Sequence, residues 1–130
     1  MSNILLTVLV ATRNGEDVLP RTLEAYRRLE SLIHAWKLVI VDNGSTDSTP
    51  AIIAAFKNYL PIEMLQEPVA GKNRALNRGL AAVEGRSVII TDDDAIPAPS
   101  FLIAWSRCLE KRQGYDLFGG TIEPLFDARS

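Results

Sequence analysis

The chain has 130 residues, of which 47% are hydrophobic and 23% charged, and its formal net charge is -2. This length suits one domain with a real core, and the composition excludes an intrinsically disordered chain. The near balance of 14 basic and 16 acidic side chains gives no reason to expect nucleic acid or an anionic membrane as a partner.

The first half of the chain alternates between strand-like and helix-like patterns. Ile4 to Ala11 is apolar almost throughout, as a strand covered on both faces should be. Glu16 to Ile33 predicts a helix, because apolar residues recur at three- and four-residue spacing. That stripe consists of Leu19, Leu23, Tyr26, Leu29 and Ile33. Leu38 to Val41 predicts a second strand, and Pro50 to about Asn58 predicts a second helix.

The second half continues the alternation. Ile62 to Leu65 predicts a weaker strand, Asn73 to Val83 a helix, and Ser87 to Thr91 a fourth strand. Pro99 to Arg112 predicts another helix, and about Leu117 to Gly119 a last strand. The inward stripes of these two helices are Leu76, Leu80 and Val83, and then Leu102, Trp105 and Leu109.

This order predicts an α/β fold with a doubly wound, mostly parallel sheet and helices on both faces. In such sheets, ligands bind beyond the carboxyl ends of the strands, where the strand order reverses. Thr12, Asp42 and Asp92 each come directly after a predicted strand. We therefore expect a binding site at that edge of the sheet.

Three adjacent carboxylates, Asp92, Asp93 and Asp94, follow the fourth predicted strand. They repel one another more strongly as water is excluded, so they need a cation or hydrogen-bond donors. Oxygen ligands suit Mg²⁺ or Mn²⁺. In an extended chain, Asp92 and Asp94 point one way and can share a metal ion, while Asp93 turns into the fold or caps the next segment. The alternative is a turn cluster.

Three further residues have both a ligand interpretation and a structural one. Asp42 could accept a hydrogen bond from a base or ribose, or it could bond the backbone of its own turn. Lys72, near the start of a helix, is a candidate diphosphate contact or a solvated basic residue. We interpret Asp47 as a helix cap rather than a ligand.

Other common sites and locations are excluded or disfavoured by the sequence. The phosphate-loop pattern is absent, as is Gly-x-Gly-x-x-Gly after the first strand. A single cysteine, Cys108, excludes an internal disulfide and fits a reducing compartment. No apolar run reaches the ~20 residues of a membrane helix, so we expect a cytoplasmic protein. Attachment to the cytoplasmic face of a membrane through other parts is left open.

Five segments resemble family 2 glycosyltransferases with the GT-A fold. Thr7 to Asn14 is similar to that family's opening strand, and Val39 to Asp47 to its second-strand signature. Gly71 to Leu80 resembles its third helix, and Thr91 to Pro97 its Asp-x-Asp segment. Gly119-Gly120 resembles the glycine pair that follows. The match spans nearly the whole chain, and five motifs in order are a specific signal.

The resemblance implies a Rossmann-like nucleotide-binding domain that takes a nucleoside-diphosphate sugar, UDP- or GDP-linked, and an inverting transfer to an unknown acceptor. The implied nucleotide-sugar site is Ala11, Thr12, Asp42, Asn43, Lys72, Asp92 and Asp93. Asp42 contacts the base in this scheme, and Asn43 stands where the family often has a second Asp. Asp94 and Asp92 hold Mg²⁺ or Mn²⁺, which neutralises the leaving diphosphate.

The family's general base belongs to an acceptor-binding half beyond the glycine pair. Glu123 and Asp127 match no base motif, so no catalytic base is identifiable in this chain. We expect residues 1–130 to form a single nucleotide-diphospho-sugar-binding domain, either a fragment or a short relative, that binds donor but transfers sugar poorly. Apolar surface left uncovered by the missing half favours a homo-oligomer.

Three other functions compete with this interpretation. The first is a non-catalytic nucleotide-sugar-binding or interaction module. An acidic general base encoded further downstream in the full gene would distinguish an enzyme from such a module. A signalling receiver needs an acidic pair after the first strand, where this chain has Thr12-Arg13-Asn14. A nucleotidyltransferase usually has a Gly-rich, basic loop at the same place.

Overall fold

The computed structural model describes residues 4–30, 35–84 and 87–111. In chain order their elements are β1 (Ile4–Thr12), α1 (Leu19–Arg27), β2 (Ala35–Asp42), α2 (Thr49–Phe56), β3 (Ile62–Gln66), α3 (Lys72–Leu80), β4 (Ser87–Asp92) and α4 (Phe101–Lys111). Among these, no helix is both long and apolar enough to cross a bilayer. The predicted strand at 117–119 and the glycine pair at 119–120 lie outside the described residues, as do positions 123 and 127.

The four described strands form one parallel sheet in the order β3-β2-β1-β4. The chain moves outward from β1 to β2 and β3, and then returns to β4 on the other side of β1. Right-handed crossovers therefore place α3 on the face opposite α1 and α2. The doubly wound α/β sheet predicted from the sequence is confirmed, and the gap between β1 and β4 is the point where the strand order reverses.

Two hydrophobic layers cover the sheet, because successive strand side chains point to opposite faces. Val8 and Val10 of β1 pack on the side of α1, α2 and α4. Leu9, between them, packs with Ala75 of α3 on the other side. The first layer contains an aromatic cluster of Tyr26, Trp36 and Phe101, in which Tyr26 stacks on Trp36 and meets the edge of Phe101.

Helix α1 is shorter than the predicted range of 16–33. The N–H groups of Val18 and Leu19 both donate to the carbonyl of Gly15, at 3.1 and 2.8 Å, so a turn precedes the helix. At the other end, the Leu29 amide donates to the carbonyl of Tyr26, three residues earlier rather than the four of an α-helix, so the helix has ended. Leu29 still packs against the core. The apolar stripe therefore extends beyond the helix, which explains the wrong boundary.

The inward face of α3 also differs from the prediction. Leu76 and Val83 are partly buried against the sheet, but Leu80 is 41% exposed. The buried helix residues are instead Ala75 and Gly79. The helix lies so close to the sheet that only small residues fit beneath it, and the placement of Leu80 in the core was wrong for that reason.

Lys37 of β2 joins three parts of the chain at the edge of the sheet away from the strand carboxyl ends. Its ammonium group forms salt bridges with Glu63 of β3 and with Glu84, and donates to the carbonyl of Ala82 at 3.1 Å. Burial lowers the pKa of Lys37, but the hydrogen bonds and charges of the two glutamates outweigh it and raise the pKa above its usual value.

We expect Lys37→Met to lower the free energy of unfolding by about 1 kcal/mol at pH 7, since both glutamates remain partly solvated. A raised pKa means that this contribution is fully present below the usual lysine value of about 10.4 and is lost as the pH rises through the raised one. Urea denaturation of both proteins from pH 7 upward measures this. A difference that persists at high pH would assign the effect to packing of the lysine stem instead.

Candidate functional site

An open cleft of about 540 Å³ lies at the carboxyl ends of β1 and β4, where the strand order reverses. Its lining consists of Ala11, Thr12, Arg13, Asn43, Gly71, Lys72, Asp92, Asp93 and Asp94. The structure therefore brings together all the predicted site residues except Asp42. Arg13 is an addition that the sequence reasoning did not assign to the site.

Asp92 and Asp94 both line the cleft. Asp92 is the last residue of β4, and a turn follows it in which the Ala95 amide donates to the Asp92 carbonyl at 3.3 Å. Oδ1 of Asp92 accepts a hydrogen bond from Lys72 Nζ at 2.8 Å. Asp94 is exposed and forms no hydrogen bond or salt bridge with the part of the chain that the structure describes.

The side chain of Asp93 is half-buried and directed toward β1, as predicted, although the strand alternation behind that prediction ends at Asp92 and Asp93 lies in the turn that follows. Its Oδ2 accepts a hydrogen bond from the Thr12 hydroxyl, and its carbonyl accepts one from the Thr22 hydroxyl, both at 2.7 Å. Burial raises the pKa of Asp93; the Thr12 bond opposes this, and the charges of Asp94 and Asp92 add to it. Asp93 thus anchors the acidic segment to β1 and α1, and its contact with a nucleotide sugar stays a prediction.

Gly15 makes the anchor of Asp93 possible. A Cβ atom at this position would lie 2.5 Å from Thr12 Oγ1 and 3.1 Å from Asp93 Oδ2. No larger residue fits there without displacing the hydrogen bond between those two side chains. The glycine after β1 is therefore required by packing against the acidic segment.

Lys72 is the first residue of α3 and supplies positive charge opposite the three aspartates. Its hydrogen bond to Asp92 raises the pKa of Lys72; burial opposes this, and the charges of all three aspartates add to the increase. Lys72 is charged at neutral pH and stands at a helix N-terminus, an arrangement that favours anion binding.

Asp42 is 1% exposed and does not line the cleft. Its Oδ1 accepts a hydrogen bond from the Ser45 amide at 3.2 Å, which is the local turn bonding considered as the alternative. Its carbonyl accepts from the Glu67 amide at 2.9 Å. Contact between Asp42 and a base therefore stays a prediction.

Asn43 follows β2 and is 5% exposed. Its Nδ2 donates to the carbonyls of Glu67 and Val69 at 2.8 and 2.9 Å, and its Oδ1 accepts from the Gly71 amide at 3.0 Å. The side chain thus binds residues 67–71, the β3–α3 loop, while its edge lines the cleft.

A network between the loops that follow β1 and β2 was not foreseen from the sequence. The Asn14 amide donates to Ser45 Oγ, and Asn14 Oδ1 accepts from the Thr46 amide, both at 2.8 Å. Glu16 Oε1 accepts from the Ser48 amide at 3.0 Å. Asn14 has a φ of 50°, a conformation that Asn tolerates better than most residues. These bonds fix the rim beside the cleft.

The N-cap residue of α2 is Ser48, whose side chain forms no capping hydrogen bond, and Asp47, one residue earlier, binds the start of the helix in its place. Its Oδ1 accepts a hydrogen bond from the amide of Thr49, the first residue of α2, at 2.9 Å. Its Oδ2 accepts from the Glu16 amide at 3.3 Å. The Thr49 hydroxyl also bonds this carboxylate and is the main reason why the pKa of Asp47 is lowered.

The two outward carboxylates fit a metal ion that is shared with a ligand. Within residues 4–30, 35–84 and 87–111 there is no group of three or more His, Cys, Asp or Glu side chains that could hold an ion unaided. Mg²⁺ commonly takes one or two carboxylates and completes its shell with water and substrate phosphate oxygens. Asp92 and Asp94 are two such carboxylates, and water and the oxygens of an anionic ligand have to complete the shell of the ion.

The sequence model of Glycosyl transferase family 2 matches residues 7–111 of the chain. Among individual relatives, the beta-monoglucosyldiacylglycerol synthase of Nostoc sp. is 31% identical over 102 residues, covering 75% of this chain and 22% of that protein. The described fold is similar to that of GT-A enzymes of known structure.

Two of those structures contain nucleotide sugars. The mannosyltransferase PcManGT from Pyrobaculum calidifontis, in complex with GDP-Man and Mn²⁺, matches with a TM-score of 0.73 and 30% identity over 80% of this chain and 32% of that one. S. aureus TarS in complex with UDP-GlcNAc matches with a TM-score of 0.75 and 25% identity, over 83% and 32%. The chain thus spans about a fifth to a third of the length of these relatives.

Proposed function

Because the chain belongs to glycosyl transferase family 2, we propose that it binds the donor of an enzyme that transfers a sugar from a nucleoside-diphosphate sugar to an acceptor, with a divalent metal ion and inversion of the sugar. The observation that carries the proposal is the cleft in which Lys72 faces Asp92 and Asp94. Residues 1–130 are proposed as one nucleotide-diphospho-sugar-binding domain.

The charges of the cleft suit a diphosphate that is held from two sides. Lys72 and the free N–H groups at the start of α3 are donors for phosphate oxygens. Asp92 and Asp94 are proposed to hold Mg²⁺ or Mn²⁺, which supplies Lewis-acid stabilisation of the leaving diphosphate. Neighbouring structures that contain GDP-Man with Mn²⁺ or UDP-GlcNAc support a donor of this class.

In this proposal the described residues orient the donor. Asp93 holds the acidic segment to Thr12 and Thr22, so its neighbours on either side are held at the cleft. The rim network of Asn14 and Glu16 limits movement of the loop beside it. Preorganised charges of this kind stabilise a developing anion without a reorganisation cost at the moment of reaction.

Titration with UDP and GDP, with and without Mn²⁺, tests the proposal. We expect one of the nucleotides to bind at least about tenfold more tightly with Mn²⁺ than in EDTA, because the carboxylates alone repel a diphosphate. UMP and GMP are the matched controls, since they lack the second phosphate and should lose most of the metal effect. Binding that is absent, or that is equal with and without Mn²⁺, would contradict the proposal.

A further inference from the structure

We infer that Asn43 is a positioning residue: its side-chain amide fixes the β3–α3 loop so that Lys72 extends across the cleft to Asp92. The inference rests on the proposed function, because the placement of Lys72 matters there as a contact for the donor diphosphate. It assigns Asn43 to the geometry of the phosphate end of the site rather than to recognition of the base.

The three hydrogen bonds of Asn43 reach alternate residues of the loop. Both hydrogens of Nδ2 are used, one on the carbonyl of Glu67 and one on that of Val69, and Oδ1 accepts from the Gly71 amide. All three distances lie between 2.8 and 3.0 Å. A buried side chain with this set of partners holds the backbone of the loop at three points.

Only an amide can satisfy this set of partners. If the side-chain amide of Asn43 were rotated by 180°, its oxygen would face two carbonyl oxygens and its NH₂ group would face the N–H group of Gly71. The three hydrogen bonds therefore fix the orientation of the amide. An ionised aspartate can accept from Gly71 but has no hydrogen for the carbonyls of Glu67 and Val69. The carboxylate would face those oxygens in a buried place, where lost hydrogen bonds and repulsion are costly. The Asn in place of the family's frequent Asp therefore has a physical role here.

Gly71 connects this clamp to Lys72. Its φ of +139° is a backbone conformation that favours glycine, and its carbonyl accepts the Ala75 amide at 3.1 Å, the first hydrogen bond of α3. Asn43 thus holds the residue from which the helix starts. The direction of the Lys72 side chain depends on that start, because it extends into solvent and is 63% exposed.

The β3–α3 loop has few other supports. Pro68, Val69 and Ala70 are exposed. Besides the bonds of Asn43 and the bond from the Ala75 amide to Gly71, two hydrogen bonds hold this loop within the described part of the chain: the Glu67 amide donates to the carbonyl of Asp42, and the Val69 amide donates to the Glu67 carboxylate. Both act at its beginning. Loss of the Asn43 amide would therefore free the end of the loop next to Lys72.

The test compares Asn43→Asp with Asn77→Asp, which adds the same charge on the exposed side of α3 and outside the cleft lining. Calorimetric titration uses UDP or GDP, whichever the parent protein binds with Mn²⁺. We expect at least about tenfold weaker binding for Asn43→Asp, equivalent to about 1.4 kcal/mol, and less than about a threefold change for the control. Equal affinities of Asn43→Asp and the parent would overturn the inference and leave the proposed function intact.

The pH dependence separates positioning from a general loss of structure. When the carboxyl group introduced by Asn43→Asp is protonated, it regains one donor for the carbonyl of Glu67 or Val69. The charged groups around position 43 are its neighbour Asp42, Glu67 of the loop, and Arg13, Lys72 and the three aspartates of the cleft lining. Burial keeps the introduced carboxyl protonated to a higher pH. The affinity ratio of parent to variant should therefore fall as the pH is lowered from about 8 to about 5, toward the usual aspartate pKa of about 3.9. A constant ratio would contradict the hydrogen-bond explanation.

A measurement on the parent protein alone tests the inference even if the Asn43→Asp variant does not fold. Amide hydrogen exchange without nucleotide should be slower at Gly71, which donates to Asn43, than at the adjacent exposed Ala70. Equal rates at the two amides would overturn the clamp. If the parent binds neither nucleotide, the proposed function fails, and the exchange rates still decide whether Asn43 holds the loop.

Discussion

Asp94→Asn is expected to remove the metal dependence of nucleotide binding and to lower the affinity for UDP or GDP in Mn²⁺ by about 100-fold. Loss of a residue that only orients a metal ligand typically lowers the metal affinity by about 10–100-fold. Loss of a residue that binds the metal ion itself should reach the upper end of that range. The asparagine keeps the size of the side chain but removes the charge that a hard cation needs.

This substitution should leave the fold unchanged. Asp94 is exposed and forms no hydrogen bond or salt bridge with the described residues, and its loss relieves repulsion beside Asp92 and Asp93. Calorimetric titration with and without Mn²⁺ measures the effect, together with a thermal melt. Glu30→Gln, which removes one exposed negative charge after the end of α1, is the matched control. A variant that still binds more tightly in Mn²⁺ by the parent's factor would rule out Asp94 as a ligand.

Gly79→Ala is expected to lower the free energy of unfolding by about 2 kcal/mol. A Cβ atom at Gly79 would lie 2.3 Å from Leu9 Cδ1 and 2.9 Å from Val41 Cγ2, closer than atoms can approach. Both of those residues belong to central strands and are fully buried. Relief of the overlap has to move α3 or shift the core of the sheet.

The sign of the change at Gly79 is the informative result. In an exposed helix interior, replacing glycine by alanine stabilises the helix by about 1 kcal/mol. Asn77→Ala, two residues earlier on the exposed side of α3, is the control and should be neutral or slightly stabilising. Urea denaturation of the three proteins measures the free energies. If Gly79→Ala raised stability as at an exposed site, the close approach of α3 to the sheet would be refuted.

The sheet could be predicted because its signal is local. Runs such as Leu38 to Val41 are apolar over their whole length, and helices alternate with them, so a parallel sheet covered on both faces follows. The inward face of α3 could not be predicted in the same way. Hydrophobic spacing favoured Leu80, while the distance between α3 and the sheet depends on Leu9 and Val41 in distant segments.

The place of the site could likewise be predicted, and the roles of its residues only in part. Thr12 and Asp92 were expected to lie close together, because the carboxyl ends of parallel strands share one edge of the sheet, and both line the cleft. Asp42 ends β2 at the same edge, but it is buried outside the cleft. The inward direction of Asp93 was predicted from strand alternation, but β4 ends at Asp92, and the turn that follows it places Asp93. The bonds of Asn43 could not be foreseen, since its partners come from a loop more than 20 residues later whose path is set by the fold.

The salt bridge between Lys72 and Asp92 has a thermodynamic consequence under the proposed function. A divalent ion that takes Oδ1 of Asp92 competes with the ammonium group of Lys72 for that oxygen, whereas a diphosphate offers the same ammonium group another partner. Binding of the metal ion frees Lys72 for the diphosphate, and binding of the diphosphate frees Asp92 for the metal ion. Thermodynamic linkage requires each ligand to raise the affinity for the other by the same factor. Since an exposed pair is worth about 1 kcal/mol at most, the factor from this pair is about fivefold. Under the proposed function, the acidic segment therefore binds a metal ion about fivefold more tightly with the donor present than without it.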